Sequence, residues 1–313
     1  MRNFLQENDF QREEVVRIFA KAFDLKNNRA QRPTKDLAGQ SWGMLFYKQS
    51  TRTRVSFEVG IRELGGNPLI LDQSSTQIGR GESIEDTAKV LSRFLDGLII
   101  RTHGHELIEE FARHTSIPVV NALTDFLHPC QIYADCMTLL EKWSGGNTSL
   151  EGLKGKKLAF FGDTSCNMAN SWILAGALFG LEISLCGPQS FQPGNEIQQL
   201  LKDNKLTPTW DFTSDPIAGA RGADAVYTDV WVSMGCEEES QGRLQAMQPY
   251  QVKDSTFESA RKDCLFMHCM PAHPGEEVSQ SVLDSQRAIL FDQAENRLHM
   301  QKAILSALSP HNS

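Results

Sequence analysis

The sequence predicts an α/β protein of two domains, each a parallel β-sheet flanked by helices. Three observations predict this architecture. Short apolar runs alternate along the chain with amphipathic helical patterns, which is typical of parallel strands buried beneath helices. The 313 residues are enough for about two domains of roughly 150 residues each. A segment rich in Gly, Ser and Lys, SGGNTSLEGLKGK at 144–156, interrupts the alternation and indicates a domain boundary just before it.

The strands are predicted from continuous apolar runs bounded by polar or Gly-containing turns. These runs lie at 42–47, 97–100, 117–120, 157–161, 182–186, 223–227, 264–267 and 288–291. A helix is predicted after Ser50, because Phe57, Ile61 and Leu64 recur at helical spacing before Gly65 and Gly66. A last helix is predicted around 294–308. We expect a first domain at 1–143, with residues 294–313 packing back on it, and a second domain at 144–293.

The composition excludes several classes of protein. Apolar residues make up 40% and charged residues 22%, so a disordered chain is excluded. No apolar run approaches the roughly 18 residues that a membrane span needs, and the start MRNFLQENDFQREEVV has no apolar targeting core, so we expect a cytoplasmic protein. The net charge of −8, with no long Lys/Arg run, argues against a nucleic-acid partner. The seven cysteines form no CxxC pair, which favours free thiols and predicts neither a metal site nor a metal cofactor.

Polar side chains follow the predicted strands, where ligands bind in open α/β sheets. Ser50, Thr51, Arg52 and Thr53 begin the helix after the first strand, and hydroxyls, free N–H groups and guanidinium at a helix N-terminus suit a phosphate. Such a start is more often only a helix cap, so the argument rests on the same pattern recurring at other strand ends. The further candidates are Arg101, His128, Gln131, Asn167, Asp229, Cys269 and Arg297. The sequences GxxxxGK[ST], GxGxxG after a strand and GxSxG are absent, which favours a small phosphorylated substrate over a nucleotide.

These residues carry a resemblance to a known family. STRTR at 50–54 together with HPCQ at 128–131 resembles the carbamoyl-phosphate signature of the aspartate/ornithine carbamoyltransferases. DVWVSMG at 229–235 and HCMP at 268–271 resemble the ornithine branch, and QIGRGES at 77–83 resembles that branch's mobile loop. The match runs in order from Ser50 to Lys302. Pro274 stands where many ornithine enzymes have Arg, and Met270 replaces a common Leu.

The resemblance implies a reaction in which carbamoyl phosphate and L-ornithine give L-citrulline and phosphate without a cofactor. It implies that Arg101, His128, Asp229 and Cys269 are catalytic. The implied carbamoyl-phosphate ligands are Ser50, Thr51, Arg52, Thr53, Gln77, Arg101, His128, Gln131, Cys269, Met270 and Arg297. The implied ornithine ligands are Asn167, Asp229, Ser233 and Met234. Because the family's mobile loop reaches a neighbouring active site, Gln77 is expected to act in the next subunit of a homotrimer.

Several alternatives stay open at this point. A sister carbamoyltransferase acting on putrescine, acetylornithine or succinylornithine is the nearest, although an acylated amine does not need Asp229 and putrescine has no carboxylate for Asn167. The aspartate branch, an inactive binding paralogue and a nicotinamide-dependent dehydrogenase are further alternatives. The proton acceptor is also open between Asp229, Cys269 and the leaving phosphate.

Overall fold

The computed structural model describes residues 2–72, 81–145, 148–232 and 240–309. The chain divides into two units, Met1–Ser149 with Glu295–Ser313, and Leu150–Ala294. These divisions lie six residues and one residue after the expected ones at 143/144 and 293/294. Leu150 and Leu153, in a 3₁₀ turn (Leu150–Leu153) at the start of the second unit, are buried.

The first unit is built around a four-stranded parallel sheet with the strand order β2-β1-β3-β4. Its strands are β1 (Ser41–Phe46), β2 (Asn67–Asp72), β3 (Gly97–Arg101) and β4 (Val119–Leu123). Its helices are α1 (Arg12–Asn27), α2 (Thr51–Glu63), α3 (Ile84–Leu91), α4 (His105–His114) and α5 (Pro129–Ser144). Because all four strands are parallel, their carboxyl ends lie at one edge of the sheet, and α2 and α5 begin shortly after β1 and β4.

The second unit holds a five-stranded parallel sheet with the order β7-β6-β5-β8-β9. Its strands are β5 (Lys157–Phe161), β6 (Glu182–Cys186), β7 (Thr209–Thr213), β8 (Ala225–Thr228) and β9 (Leu265–His268). Its helices are α6 (Asn167–Phe179), α7 (Asn195–Asp203), α8 (Pro216–Ala220), α9 (Ser240–Met247) and α10 (Gln280–Leu283). A last helix, α11 (Leu290–Leu308), belongs to the first unit from Glu295 onward. Two parallel sheets with flanking helices confirm the predicted fold class.

The structure corrects the strand predictions at three places. The apolar run at 288–291 is not a strand: Ala288 makes a single bridge to Phe266, and α11 starts at Leu290. A short apolar run does not by itself distinguish a strand from the start of a buried helix. The strands β2 and β7 were not predicted. Both lie at sheet edges, where Leu69 is half exposed and the residues of β7 are at most partly buried. Polar and apolar residues alternate in β7, and the apolar run of β2 is only three residues long, at 69–71.

Helix α2 has the ends and the buried face that the sequence predicts. Ser50 is its N-cap, and the Ser50 Oγ accepts a hydrogen bond from the Thr53 N–H at 3.2 Å. Phe57, Ile61 and Leu64 are fully buried. Gly65 follows at φ +82°, where a Cβ would lie 2.7 Å from the Thr34 carbonyl oxygen, so only glycine fits there.

Helix α11 is fixed to the rest of the first unit by polar contacts. Lys302 Nζ donates to Glu63 Oε2 on α2 at 2.7 Å, and Asn296 Nδ2 donates to Thr138 Oγ1 on α5 at 3.0 Å. Arg297 lies between these two anchors and is therefore held against the same helices. Of the helices in the described ranges, none combines the length and the apolarity needed to span a bilayer.

Candidate active site

The hydroxyl oxygen of Thr53 accepts hydrogen bonds from two guanidinium groups. Arg297 Nη2 donates to Thr53 Oγ1 at 2.7 Å, and Arg101 Nη1 approaches the same oxygen at 3.4 Å. All three side chains are buried, with at most 9% of their surface exposed. Two buried cations this close repel each other, and a bound anion would offset the repulsion by attracting both. The geometry therefore suits an anion such as phosphate.

His128 lies next to this pair of arginines. It is the N-cap of α5, ahead of Pro129, and is 4% exposed. Burial lowers the pKa of His128 well below its usual value, and the charges of Arg297 and Arg101 lower this pKa further. The imidazole is thus neutral at pH 7, with one ring nitrogen able to donate and the other able to accept.

The first turn of α2 adds the predicted hydroxyl and guanidinium groups. Ser50 is half buried, whereas Thr51 and Arg52 are exposed at the helix start. Because Thr53 is on the same turn, the helix N-terminus places these groups beside the buried arginines. The free N–H groups and the positive end of the helix dipole add to the attraction for an anion. Gln77, also predicted here, lies outside the described residues.

Gln131 lies three residues after His128 on α5, so the two side chains share a face of the helix. Gln131 is fully buried, and its Nε2 donates to Asp135 Oδ1 at 2.8 Å. Its carbonyl oxygen Oε1 is buried and has no hydrogen-bond partner in the part of the chain that the structure describes. A buried acceptor without a donor indicates room for a ligand that donates.

In the second unit, Asp229 and Cys269 form a pair at the carboxyl ends of the adjacent strands β8 and β9. Cys269 Sγ donates to Asp229 Oδ1 at 2.9 Å, and the same oxygen accepts the Val230 N–H at 2.8 Å. Both side chains are half buried. Met270 follows at φ +62°, and its N–H donates to His268 Nδ1 at 2.8 Å. The two predicted residues Asp229 and Cys269 are thus brought together by the sheet.

Asn167 begins α6, after a turn that Asp163 organises. Asp163 Oδ1 accepts hydrogen bonds from the N–H and the hydroxyl of Ser165 at 2.9 Å and 2.6 Å. Burial raises the pKa of Cys166 well above its usual value, and the charges of Asp163 and Asp229 raise it further. The charge of Asp229 therefore acts on the residue next to Asn167. Ser233 and Met234 lie outside the described residues.

Comparison with known proteins decides the family. Residues 2–141 match the family profile described as the carbamoyl-P binding domain of aspartate/ornithine carbamoyltransferase, and residues 154–308 match the Asp/Orn binding domain of the same enzymes. This chain belongs to the aspartate/ornithine carbamoyltransferase family.

Family members with the name ornithine carbamoyltransferase are similar over nearly the whole chain. The protein of that name from Geobacter sulfurreducens is 45% identical over 309 residues, which is 98% of this chain and 99% of the relative. The one from Halalkalibacterium halodurans is 47% identical over 310 residues, covering 98% and 95%. The solved structure of ornithine carbamoyltransferase from Pyrococcus furiosus superposes with a TM-score of 0.89 at 39% identity, covering 98% and 97% of the two chains. That of the anabolic enzyme from Campylobacter jejuni gives 0.89 at 34% identity, covering 99% and 100%.

Two polar residues of this carbamoyltransferase chain lie at the candidate site but were not predicted from the sequence. One is Asp135, the partner of Gln131. The other is Arg243 on α9, whose Nε donates to the Trp231 carbonyl, whose Nη2 pairs with Asp163 Oδ2 and whose Cζ lies 4.8 Å from the centre of the Phe191 ring. Asp163 and Arg243 are 80 residues apart, so no local pattern joins them.

One cluster of possible metal ligands bears on the expectation that the chain has no metal site. Ligand-type atoms of Asp229, His268 and Cys269 lie within 4.8 Å of one another. The expectation rested on the lack of Cys and His at metal-ligand spacing along the chain. Here the grouping is formed by two adjacent strand ends, which spacing in sequence does not reveal.

Proposed function

We propose that this protein transfers the carbamoyl group of carbamoyl phosphate to the side-chain amine of L-ornithine, giving L-citrulline and phosphate. The observation that carries the proposal is the Thr53 hydroxyl between Arg297 and Arg101, beside a neutral His128. That arrangement pairs an anion site with a donor for a carbonyl oxygen. The names of the relatives support ornithine as the second substrate.

In the first unit, Ser50, Thr51, Arg52, Thr53 and Arg297 hold the phosphate. Arg101 and His128 donate to the carbamoyl oxygen. When the amine attacks the carbonyl carbon, negative charge grows on this oxygen, and donors already in place stabilise it. Removing one such donor typically costs about 2.7–4 kcal/mol of transition-state stabilisation. A neutral His128 serves because its ring still has one N–H.

In the second unit, Asn167 binds the ornithine carboxylate and Asp229 binds an ammonium group. The attacking amine must be neutral, whereas a free alkylamine has a pKa of about 10. Asp229 and Cys269 orient this amine. Its proton passes to Asp229, to the departing phosphate, or to the Cys269 sulfur as the thiol releases its own proton to Asp229. Cys269 is a positioning group in this scheme, since direct attack of the amine needs no covalent intermediate. Cys269, Met270, Gln77, Ser233 and Met234 keep the ligand roles that the resemblance gives them.

We further propose a carbamoyl-phosphate-binding role for the first unit and an ornithine-binding role for the second, in a cytoplasmic homotrimer that serves arginine biosynthesis. The family descriptions of residues 2–141 and 154–308 support the two roles. Exposed apolar side chains on the first unit support self-association, above all Val55 and Phe94, which are 53% and 72% exposed. The six cysteines in the described ranges are all thiols, as suits a reducing compartment. A solution mass near one chain or two would exclude the trimer.

Citrulline formation tests the proposed reaction. We expect carbamoyl phosphate and L-ornithine to give citrulline and phosphate in equal amounts, with little turnover of putrescine or N-acetylornithine. Faster turnover of either alternative amine would assign the chain to a sister carbamoyltransferase.

Paired arginine variants test whether the anion site is catalytic. Arg52 and Arg54 are both exposed on the first turn of α2, but only Arg52 has an assigned phosphate role. Arg52→Ala is expected to lower kcat/KM by about a hundredfold or more while the fold is kept. Arg54→Ala is the matched control and should change kcat/KM only a few-fold. An inactive wild type, or equal effects of the two variants, would contradict the proposal.

A further inference from the structure

We propose that Asp135 is a positioning residue that fixes the orientation of the Gln131 amide, so that the site recognises the NH2 group of a carbamoyl phosphate and discriminates against acyl phosphates that lack it. The inference rests on the proposed function and extends it to a residue outside the predicted site. It starts from one hydrogen bond and one buried acceptor on α5.

The hydrogen bond sets the direction of the amide. Asp135 is one helical turn after Gln131, and both side chains are fully buried. A carboxylate only accepts hydrogen bonds, whereas an amide has a donating and an accepting end. The carboxylate therefore takes the Nε2 end of Gln131, at 2.8 Å, and leaves the Oε1 end on the other side.

The other end of the amide is left without a donor from the described protein. Gln131 Oε1 is buried and makes no hydrogen bond to any described residue. Leaving a buried acceptor unpaired costs folding free energy. A Gln131–Asp135 pair with a purely structural role would not need to leave Oε1 unpaired. The cost disappears when a ligand supplies an N–H group.

The position of Gln131 identifies the kind of ligand. Gln131 shares a helix face with His128, which feels the charges of Arg101 and Arg297. A carbamoyl group offers N–H donors and needs an acceptor, which Gln131 Oε1 provides. Acetyl phosphate has a methyl group in the same place and gains nothing from that oxygen, so a site built in this way rejects it.

The test compares ligands that differ only in this group. The variants are Asp135→Leu, which removes the acceptor for Nε2, and Asp135→Asn, which accepts or donates and so permits both amide orientations. The control is Glu141→Gln, a carboxylate-to-amide change on the same helix whose partners are Lys26 and Asn296. Calorimetry at low temperature gives the affinity of the full-length protein for carbamoyl phosphate, acetyl phosphate and inorganic phosphate.

We expect Asp135→Leu to weaken carbamoyl-phosphate binding about tenfold. Asp135→Asn is expected to weaken it only about two- to threefold, since a fraction of the amides keeps the competent orientation. Acetyl phosphate and inorganic phosphate should bind the variants and the wild type alike, and Glu141→Gln should keep the wild-type preference. In a Gln131→Ala background, Asp135→Leu should cause no further loss, because Asp135 acts through Gln131.

Two results would overturn the inference. One is an equal loss of carbamoyl-phosphate and acetyl-phosphate binding in the Asp135 variants, and the other is an unchanged preference for carbamoyl phosphate. Neither is confused with failure of the proposed function, which shows in the wild type as no binding of carbamoyl phosphate and no citrulline. Unfolding curves of each variant establish that a folded protein was measured.

Discussion

Thr53 Oγ1 accepts a hydrogen bond from Arg297 Nη2 at 2.7 Å, although 244 residues separate the two in sequence. The hydroxyl belongs to the first turn of α2 and the guanidinium to α11. The contact orients a buried cation beside the helix N-terminus, where an anion is attracted. The loss of this one oxygen should therefore weaken substrate binding.

Thr53→Val is expected to raise the KM for carbamoyl phosphate about tenfold. Valine has nearly the shape of threonine, but it lacks the hydroxyl oxygen that accepts hydrogen bonds from Arg297 and Arg101. The unfolding free energy should fall by about 1.5–3 kcal/mol, because two buried guanidinium groups lose a hydrogen-bond acceptor. Steady-state kinetics and urea unfolding measure the two effects. The control is Thr87→Val on α3: the Thr87 Oγ1 is buried and makes no hydrogen bond within the described ranges, so this change should leave both quantities nearly unaltered. A normal KM in Thr53→Val would show that the hydroxyl does not organise the anion site.

Stability should fall at acidic pH through His299 on α11. Its side chain is fully buried, and neither ring nitrogen makes a hydrogen bond to a described residue. Burial, together with the positive charges of Lys302, Arg29 and Lys26, lowers the pKa of His299 to about 3. In the unfolded chain the histidine has its ordinary pKa of about 6.5. Between about pH 6.5 and pH 3 the unfolded chain therefore binds more protons than the folded protein, so stability is lost as the pH falls through this range.

Urea unfolding at about pH 7.5 and 5.5 measures this loss. His299 should contribute about 1.4 kcal/mol of the decrease in unfolding free energy between the two pH values. His299→Leu should remove that share of the pH dependence. His103→Gln is the control, because His103 has a mostly exposed side chain. The same pH dependence in wild type and His299→Leu would contradict the prediction.

Arg243 should matter for ornithine and not for carbamoyl phosphate. It donates to the Trp231 carbonyl, two residues before Ser233, and pairs with Asp163, which holds the turn leading to Asn167. Arg243→Gln is therefore expected to raise the KM for ornithine about tenfold with the KM for carbamoyl phosphate unchanged. Arg261→Gln, which breaks an ion pair of a mostly exposed arginine with Asp224, should change neither KM. Equal increases in both KM values would indicate a general loss of structure.

The Cys269 thiol should be replaceable by a hydroxyl. Its observed role is to donate a hydrogen bond to Asp229 Oδ1 at 2.9 Å, and serine keeps a donor at this position. Cys269→Ser is expected to retain kcat within about tenfold, whereas Cys269→Ala should lose about a hundredfold, because the carboxylate loses a donor that orients it. Rates of citrulline formation measure both. A serine variant as inactive as the alanine variant would point to chemistry that only a thiol performs.

Strands that are buried on both faces were predicted best. The runs at 157–161 and 182–186 have the predicted bounds, because every residue after the first of each strand is buried and, apart from Ser184, apolar. The edge strands β2 and β7 were missed because polar residues alternate with apolar ones in β7 and the apolar run of β2 is only three residues long. The run at 288–291 became the start of α11, since an apolar run of that length fits either element.

The amino-acid sequence by itself determined the alternation of strands and helices, the caps of α2 and the polar residues at the strand ends. These features depend on side-chain periodicity and on contacts between near neighbours. Only the tertiary structure decided which hydroxyl meets Arg297, which carboxylate orients Gln131 and which aspartate pairs with Arg243. Asp135 was missed even though it lies one turn from Gln131. An exposed Asp135 would form hydrogen bonds to water, and it becomes the fixed partner of Gln131 only because both side chains are buried. The packing of helices and strands decides burial and brings distant residues together, and no local pattern encodes it.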